Sequence, residues 1–174
     1  HQLLEDYEIP ASKIYCTHIT RNYDLLDDAI SLAEKGCYVD MTACERTAEY
    51  VKYYKEQSGA LEQLTISSDG NGSLPVFDDQ GRMLGLGVAS PYTLFEQFQA
   101  IVQQEILPIE DALSLITSNP AQALQLKTKG LIKKGHDADL TLLAEKDYSI
   151  SYVFAKGQKM MEQGKVIVKG TFEK

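Results

Sequence analysis

Three short strand-like runs, at residues 13–18, 37–43 and 64–67, alternate with two amphipathic helical stretches at the start of the chain. Alternation of this kind commits a chain to parallel strands joined by right-handed crossovers, with the helices packed outside the sheet. The first run, Lys13-Ile14-Tyr15-Cys16-Thr17-His18, is rich in β-branched and aromatic side chains. Asn22 or Asp24 can cap the helix that follows. Leu25, Leu26, Ala29, Ile30, Leu32 and Ala33 share one face, Asp27 and Asp28 lie near the positive N-terminal end, and Lys35-Gly36 closes it. Residues 37–43 predict a buried strand. A second helix, 45–57, carries the stripe Ala48, Tyr50, Val51 and Tyr54 and stops near Gly59. Leu64-Thr65-Ile66-Ser67 is the third strand.

Further along, Ser90 as cap and Pro91 at the first helical position open a long helix with Leu94, Phe95, Phe98, Ile101 and Val102 on one face. Shorter helical pieces follow at 109–117 and 121–126, separated by Ser118-Asn119-Pro120. From Gly130 the pattern changes to short β-runs at 131–132, 140–143, 151–155, 159–161 and 165–168. Turns at Lys156-Gly157 and Gln163-Gly164 predict hairpins. The chain thus divides into an α/β part, 1–129, and an all-β part, 130–174. The second is small for an independent core and needs something to pack on.

Composition narrows the partners. With 17 basic and 25 acidic side chains the formal charge is −8, which offers no clustered Lys and Arg for a phosphate backbone. No apolar run approaches the roughly 18–20 residues of a membrane span. The opening His1-Gln2-Leu3-Leu4-Glu5-Asp6 lacks the basic and apolar regions of a signal peptide. Cys16, Cys37 and Cys44 cannot pair completely and lack zinc-knuckle spacing, so they read as reduced core thiols of a cytoplasmic protein.

Chemistry in parallel α/β folds gathers at the carboxyl ends of strands. His18 ends the first strand and Asp69 ends the third, in Ser67-Ser68-Asp69-Gly70-Asn71-Gly72-Ser73. An imidazole and a carboxylate facing one pocket suit a divalent metal, zinc above all. Singly, each has a plainer reading: a strand-end His is commonly a hydrogen-bonded structural residue, and Asp-Gly-Asn-Gly is a turn former. Asp69-x-Asn71-x-Ser73 imitates a calcium loop, but Leu74 and Gln80 stand where its glycine and glutamate belong. It is no phosphate loop either, since no Gly-Lys-Ser/Thr follows. Asp78 and Asp79 read as solvated loop residues, and His1 and His136 as solvated histidines.

Thr17-His18-x-x-Arg21-Asn22, Ser67 to Ser73, and the closing Val168-Lys169-Gly170-Thr171-Phe172-Glu173 resemble the β-aspartyl (isoaspartyl) dipeptidases of the amidohydrolase superfamily. Lys129-Gly130-Leu131-Ile132, Gly135, Asp137-Ala138-Asp139-Leu140 and Val153-x-Ala155-x-Gly157 are similar to the C-terminal β-segment of that superfamily at large. The resemblance implies an α/β fold, the C-terminal part of a (β/α)8 TIM-type barrel with strands six to eight, followed by the C-terminal strands of a small β-sandwich. By the same resemblance His18 is a ligand of one zinc ion and Asp69 of the other. Asp69 also takes a proton from the attacking water and passes it to the leaving amine. Arg21 would bind a carboxylate of the isoaspartyl dipeptide and Ser73 would hydrogen-bond it.

The family also uses a His-x-His pair on strand one, a carbamylated lysine bridging the two zinc ions on strand four, and a histidine on strand five. This sequence contains none of them, and its α/β part is shorter than the roughly 200–250 residues of a full barrel. The expectation is therefore the C-terminal portion of a zinc metallo-dipeptidase, inactive without the N-terminal half. Exposed strand edges should make it associate, with that half or as a homo-oligomer, and neither nucleic acid nor membrane is a partner. The competing expectations are an amidohydrolase acting on a cyclic amide or N-acyl amino acid, and a non-catalytic fragment.

Overall fold

The computed structural model describes Leu4 and residues 6–170; His1 and the stretch Thr171-Phe172-Glu173 lie outside the described residues. Three parallel strands, β1 (Tyr15–Cys16), β2 (Tyr38–Thr42) and β3 (Leu64–Ser67), form a sheet in that spatial order. They are joined by helices α1 (Tyr23–Glu34) and α2 (Thr47–Glu56). The sheet is in register from Tyr15 opposite Tyr38 to Thr42 opposite Ser67. The first strand is shorter than its apolar run, because Ala11–Lys13 winds into a 3-10 turn instead.

Asn22 caps α1, its side chain accepting from the Leu25 N–H at 2.8 Å, and Leu26, Ala29, Ile30 and Ala33 are buried beneath the helix. Val39 and Met41 of β2, Leu64 and Ile66 of β3, and Val51 and Tyr54 of α2 meet that face in one core. Helix α3 (Thr93–Gln103) closes it with Phe98 and Ile101, both fully buried. Ser90 does not cap α3 directly. Its hydroxyl accepts from the Tyr92 N–H in a preceding turn, and the helix starts two residues later than the Ser-Pro signal predicts. Two short helices, α4 (Ile109–Ser114) and α5 (Ser118–Ala123), follow. Buried Asn119 of α5 donates to the carbonyls of Leu61 and Leu64, both at 2.8 Å, and so fixes the entry to β3.

Between β3 and α3 lies an element that the sequence reading missed, an antiparallel hairpin of β4 (Ser73–Phe77) and β5 (Met83–Val88). Pro75, Gly85 and Gly87 dilute its strand signal. Asp78 is not simply solvated: its carboxylate accepts from the backbone of Gln80 and Arg82 and pairs with the Arg82 guanidinium at 2.8 Å, which builds the turn. The hairpin leaves Leu74, Val76, Met83, Leu84, Leu86 and Val88 exposed.

The tail is a four-stranded antiparallel sheet of β6 (Leu140–Leu143), β7 (Ile150–Ala155), β8 (Gln158–Glu162) and β9 (Lys165–Val166), ordered as in sequence. Lys156-Gly157 and Gln163-Gly164 all have positive φ, the backbone that two-residue hairpin turns require. Leu131 and Ile132 form no strand and are exposed. Lys129 ties the start of this region together, bridging Asp137 at 2.8 Å and Asp139. Of the three cysteines, Cys37 is buried and Cys16 half-buried, but Cys44 is exposed at the approach to α2, so it is not a core thiol. Among the described residues no helix is long and apolar enough to cross a membrane.

Candidate functional site

Side chains alternate along a strand, so the two faces of the β1–β3 sheet carry different residues. Cys16, Val39, Met41, Leu64 and Ile66 face or pack against the helical core. The other face carries Tyr15, Asp40, Thr42, Thr65 and Ser67. There the Asp40 carboxylate, buried on the middle strand, accepts from Thr65 Oγ1 at 2.6 Å, Ser67 Oγ at 2.6 Å and the Tyr15 hydroxyl at 3.4 Å. One carboxylate thus links all three strands. Burial pushes Asp40 above the usual carboxylate range, against the three hydroxyls that favour its charged form. Burial likewise raises the Tyr15 hydroxyl.

His18 and Asp69 lie beyond the carboxyl ends of β1 and β3, on either side of β2. Two strand spacings, about 10 Å, separate the strands that carry them. His18, Asp69 and Asn71 all have left-handed backbone, with φ of 58°, 49° and 65°. That conformation costs roughly 1–2 kcal/mol for an ordinary L-residue, though Asn, Asp and His adopt it more readily than others. Adjacent to His18, Ile19 is buried and its N–H meets the Asp40 carbonyl at 3.3 Å. This pin leaves His18 and Arg21 exposed in the turn before α1. His18 Nδ1 lies 2.8 Å from Thr42 Oγ1, the last hydroxyl of β2.

The Asp69 loop is held at both ends. Asn71 N–H donates to the Ala89 carbonyl at 2.9 Å and Ala89 N–H to the Gly72 carbonyl at 3.0 Å, so the loop is the base of the β4–β5 hairpin, and Ser73 is exposed at its first position. A Cβ on Gly72 would lie 2.8 Å from the Asp69 carbonyl oxygen and 3.0 Å from Asp69 Oδ1. Gly72→Ala is therefore expected to destabilise the protein by about 1–3 kcal/mol through overpacking, read as a lowered urea midpoint. An unchanged midpoint would show that the loop yields freely.

The fold brings His18 and Asp69 to one end of the sheet, with Arg21 and Ser73 on the segments that follow them. Among the described residues no hydrogen bond or ion pair joins these four directly, and no group of three His, Cys, Asp or Glu side chains converges to hold an ion. The donor chemistry, an imidazole with one nitrogen engaged and a carboxylate in an exposed loop, suits a divalent metal, but two donors make only part of a centre. Asp40 and Thr42 were not singled out from sequence. Their signal was the period-two spacing of Tyr38, Asp40 and Thr42 within a run that reads as uniformly buried.

Two cavities lie away from these residues. One, of about 570 Å³, lies against β6–β8 between Leu140, Val153, Phe154 and Met160. The other, of about 360 Å³, borders α5 and His136. His136 is half-buried with an unbonded, shielded Nδ1, so it is not the solvated residue expected.

Known proteins resemble the chain at the level of family, fold and sequence. The family model described as "Amidohydrolase family" matches residues 6–171. The β-aspartyl dipeptidase of Fervidobacterium islandicum AW-1, solved in complex with a beta-Asp-Leu dipeptide, superposes with a TM-score of 0.86 at 33% identity, covering 98% of this chain and 45% of that one. A second structure of the F. islandicum dipeptidase gives a TM-score of 0.81 at 28% identity, covering 97% and 43%. Among curated sequences, a dihydroorotase of Endomicrobium trichonymphae is 39% identical over 56 residues, 32% of this chain and 13% of that protein. The chain thus spans less than half the length of the solved dipeptidases and a smaller share of that curated relative.

Proposed function

Because this chain belongs to the amidohydrolase family, with neighbours of the TIM-barrel superfamily, we propose that it is the C-terminal portion of a zinc-dependent β-aspartyl dipeptidase. The observation that carries this reading is the likeness of nearly the whole chain to a β-aspartyl dipeptidase solved with a beta-Asp-Leu dipeptide. The helices of this chain pack on one face of the β1–β3 sheet, as the outer ring of a barrel would require. Residues 130–174 would supply the C-terminal strands of the small sandwich.

The superfamily is typically metal-dependent. His18 and Asp69 would each hold one of two zinc ions, and the other ligands, a carbamylated lysine among them, would come from the N-terminal half. When bound, the metal supplies Lewis acidity and lowers the pKa of the attacking water. Asp69 would accept a proton from the attacking water and return it to the amine of the broken β-aspartyl bond. Arg21, whose planar fork matches a carboxylate, binds one of the two carboxylates of an isoaspartyl dipeptide, and the Ser73 hydroxyl donates to the substrate. The three free thiols suit a reducing, cytoplasmic setting. The exposed hairpin and sheet edges support association with the N-terminal half and with further copies.

The test is hydrolysis of isoaspartyl-leucine by the complete, zinc-supplemented polypeptide and by the 174-residue chain alone. The first should turn over and the second should not; turnover by the chain alone, or none of isoaspartyl-leucine by the whole, contradicts the reading. In the complete polypeptide Arg21→Met should raise KM more than it lowers kcat. Loss of a charged hydrogen bond is worth about 1.5–3 kcal/mol, roughly tenfold to a hundredfold. A second reading, an amidohydrolase acting on a cyclic amide or N-acyl amino acid, draws on the dihydroorotase likeness. Activity on dihydroorotate in place of the dipeptide would favour it.

A further inference from the structure

The His18–Thr42 contact joins a loop residue to the paired carboxyl end of the central strand. His18 stands in left-handed backbone beyond β1, where nothing in the ladder fixes its ring. Thr42, by contrast, pairs with Ser67 of β3, and the next residue, Ala43, donates to the Ser67 carbonyl at 2.7 Å. A β-branched side chain on a paired strand has little rotamer freedom, so its Oγ1 is a fixed point. At 2.8 Å from that point lies Nδ1 of His18, while Nε2 has no hydrogen-bond partner among the described residues.

Resting on the reading of His18 as a zinc ligand, we propose that Thr42 is a positioning residue that holds the imidazole with Nε2 presented to the metal. A ring that gives its Nε2 lone pair to an ion must carry its remaining proton on Nδ1. Thr42 Oγ1 then accepts that proton, and the threonine hydroxyl proton turns to another acceptor. The hydroxyl fixes both the orientation and the tautomer of a ligand whose own backbone fixes neither.

The experiment is equilibrium dialysis of the complete polypeptide against buffered zinc, with bound metal counted by mass spectrometry. Loss of such a supporting partner weakens metal binding by roughly 10- to 100-fold. Thr42→Val should therefore need about that much more free zinc to fill one of its two sites, with the other site unchanged. Thr42→Ser, which keeps the hydroxyl, should bind like the parent, and Thr42→Ala replaces the valine variant should that not fold. His18→Asn should empty the same site. If His18→Asn binds zinc like the parent, the ligand reading itself fails. If His18→Asn loses the ion while Thr42→Val binds like the parent, or Thr42→Ser is as weak as Thr42→Val, or both sites weaken alike, the positioning role is overturned.

Discussion

In the complete polypeptide, Asp69→Asn is expected to lower kcat for isoaspartyl-leucine by about 10²- to 10⁴-fold, the usual worth of a general acid–base group. The same substitution should leave folding almost untouched. Asp69 is exposed, and the loop that carries it is fixed by main-chain bonds of Asn71, Gly72 and Ala89 rather than by its carboxylate. Asparagine also keeps the shape that packs over Gly72 and tolerates the φ of 49°. A thermal melt beside the rate measurement separates the two effects. A variant with normal melting and more than half the parent's rate would remove Asp69 from the chemistry.

The second large effect concerns stability. Asp40→Ala takes the shared acceptor from Thr65, Ser67 and Tyr15 and leaves a void between three strands. Thr65 keeps the Val39 carbonyl at 3.3 Å and Tyr15 keeps Thr65 Oγ1 at 2.7 Å, so the cost comes from the lost charged hydrogen bonds, that of Ser67 above all, and from the space left behind, about 2–5 kcal/mol. Asp40→Asn keeps one acceptor oxygen and most of the volume, so it should lose less. The pair also has a pH signature. The carboxyl of Asp40 is raised in the folded protein above its ordinary value of 3.8, chiefly by burial. Between those two values the folded state holds a proton that the unfolded state has released, so stability must fall as pH rises through the window and level off above it. The parent's advantage over Asp40→Asn should therefore shrink from pH 4 upward and then become constant. Urea midpoints across that range would show it, and an advantage that grows with pH would reverse the assigned direction.

Much of this arrangement was legible because local and tertiary signals agreed. The spacing of Leu26, Ala29, Ile30 and Ala33 and the cap at Asn22 gave α1, and the glycine turns at 157 and 164 gave the tail hairpins. His18 and Asp69 drew notice because both follow strands. What escaped depended on neighbours that sequence does not display. The β4–β5 hairpin is stabilised by pairing across Gly85, Gly87 and Pro75, residues that argue against strands when read alone. Asp40 was hidden in an apolar run because its three hydroxyl partners come from other strands, and Thr42 because its importance lies in one contact to a residue 24 positions away. Cys44 reads as a core thiol by composition, yet the turn into α2 carries it to the surface.

The most direct measurement is anomalous diffraction at the zinc edge from crystals of the complete, zinc-loaded polypeptide. Zinc coordinates imidazole nitrogen and carboxylate oxygen at about 2.0–2.2 Å. Two peaks are predicted at the carboxyl ends of β1–β3, one within that distance of His18 Nε2 and the other of an Asp69 oxygen. Ordered zinc bound elsewhere, with His18 and Asp69 coordinating neither ion, would contradict the account.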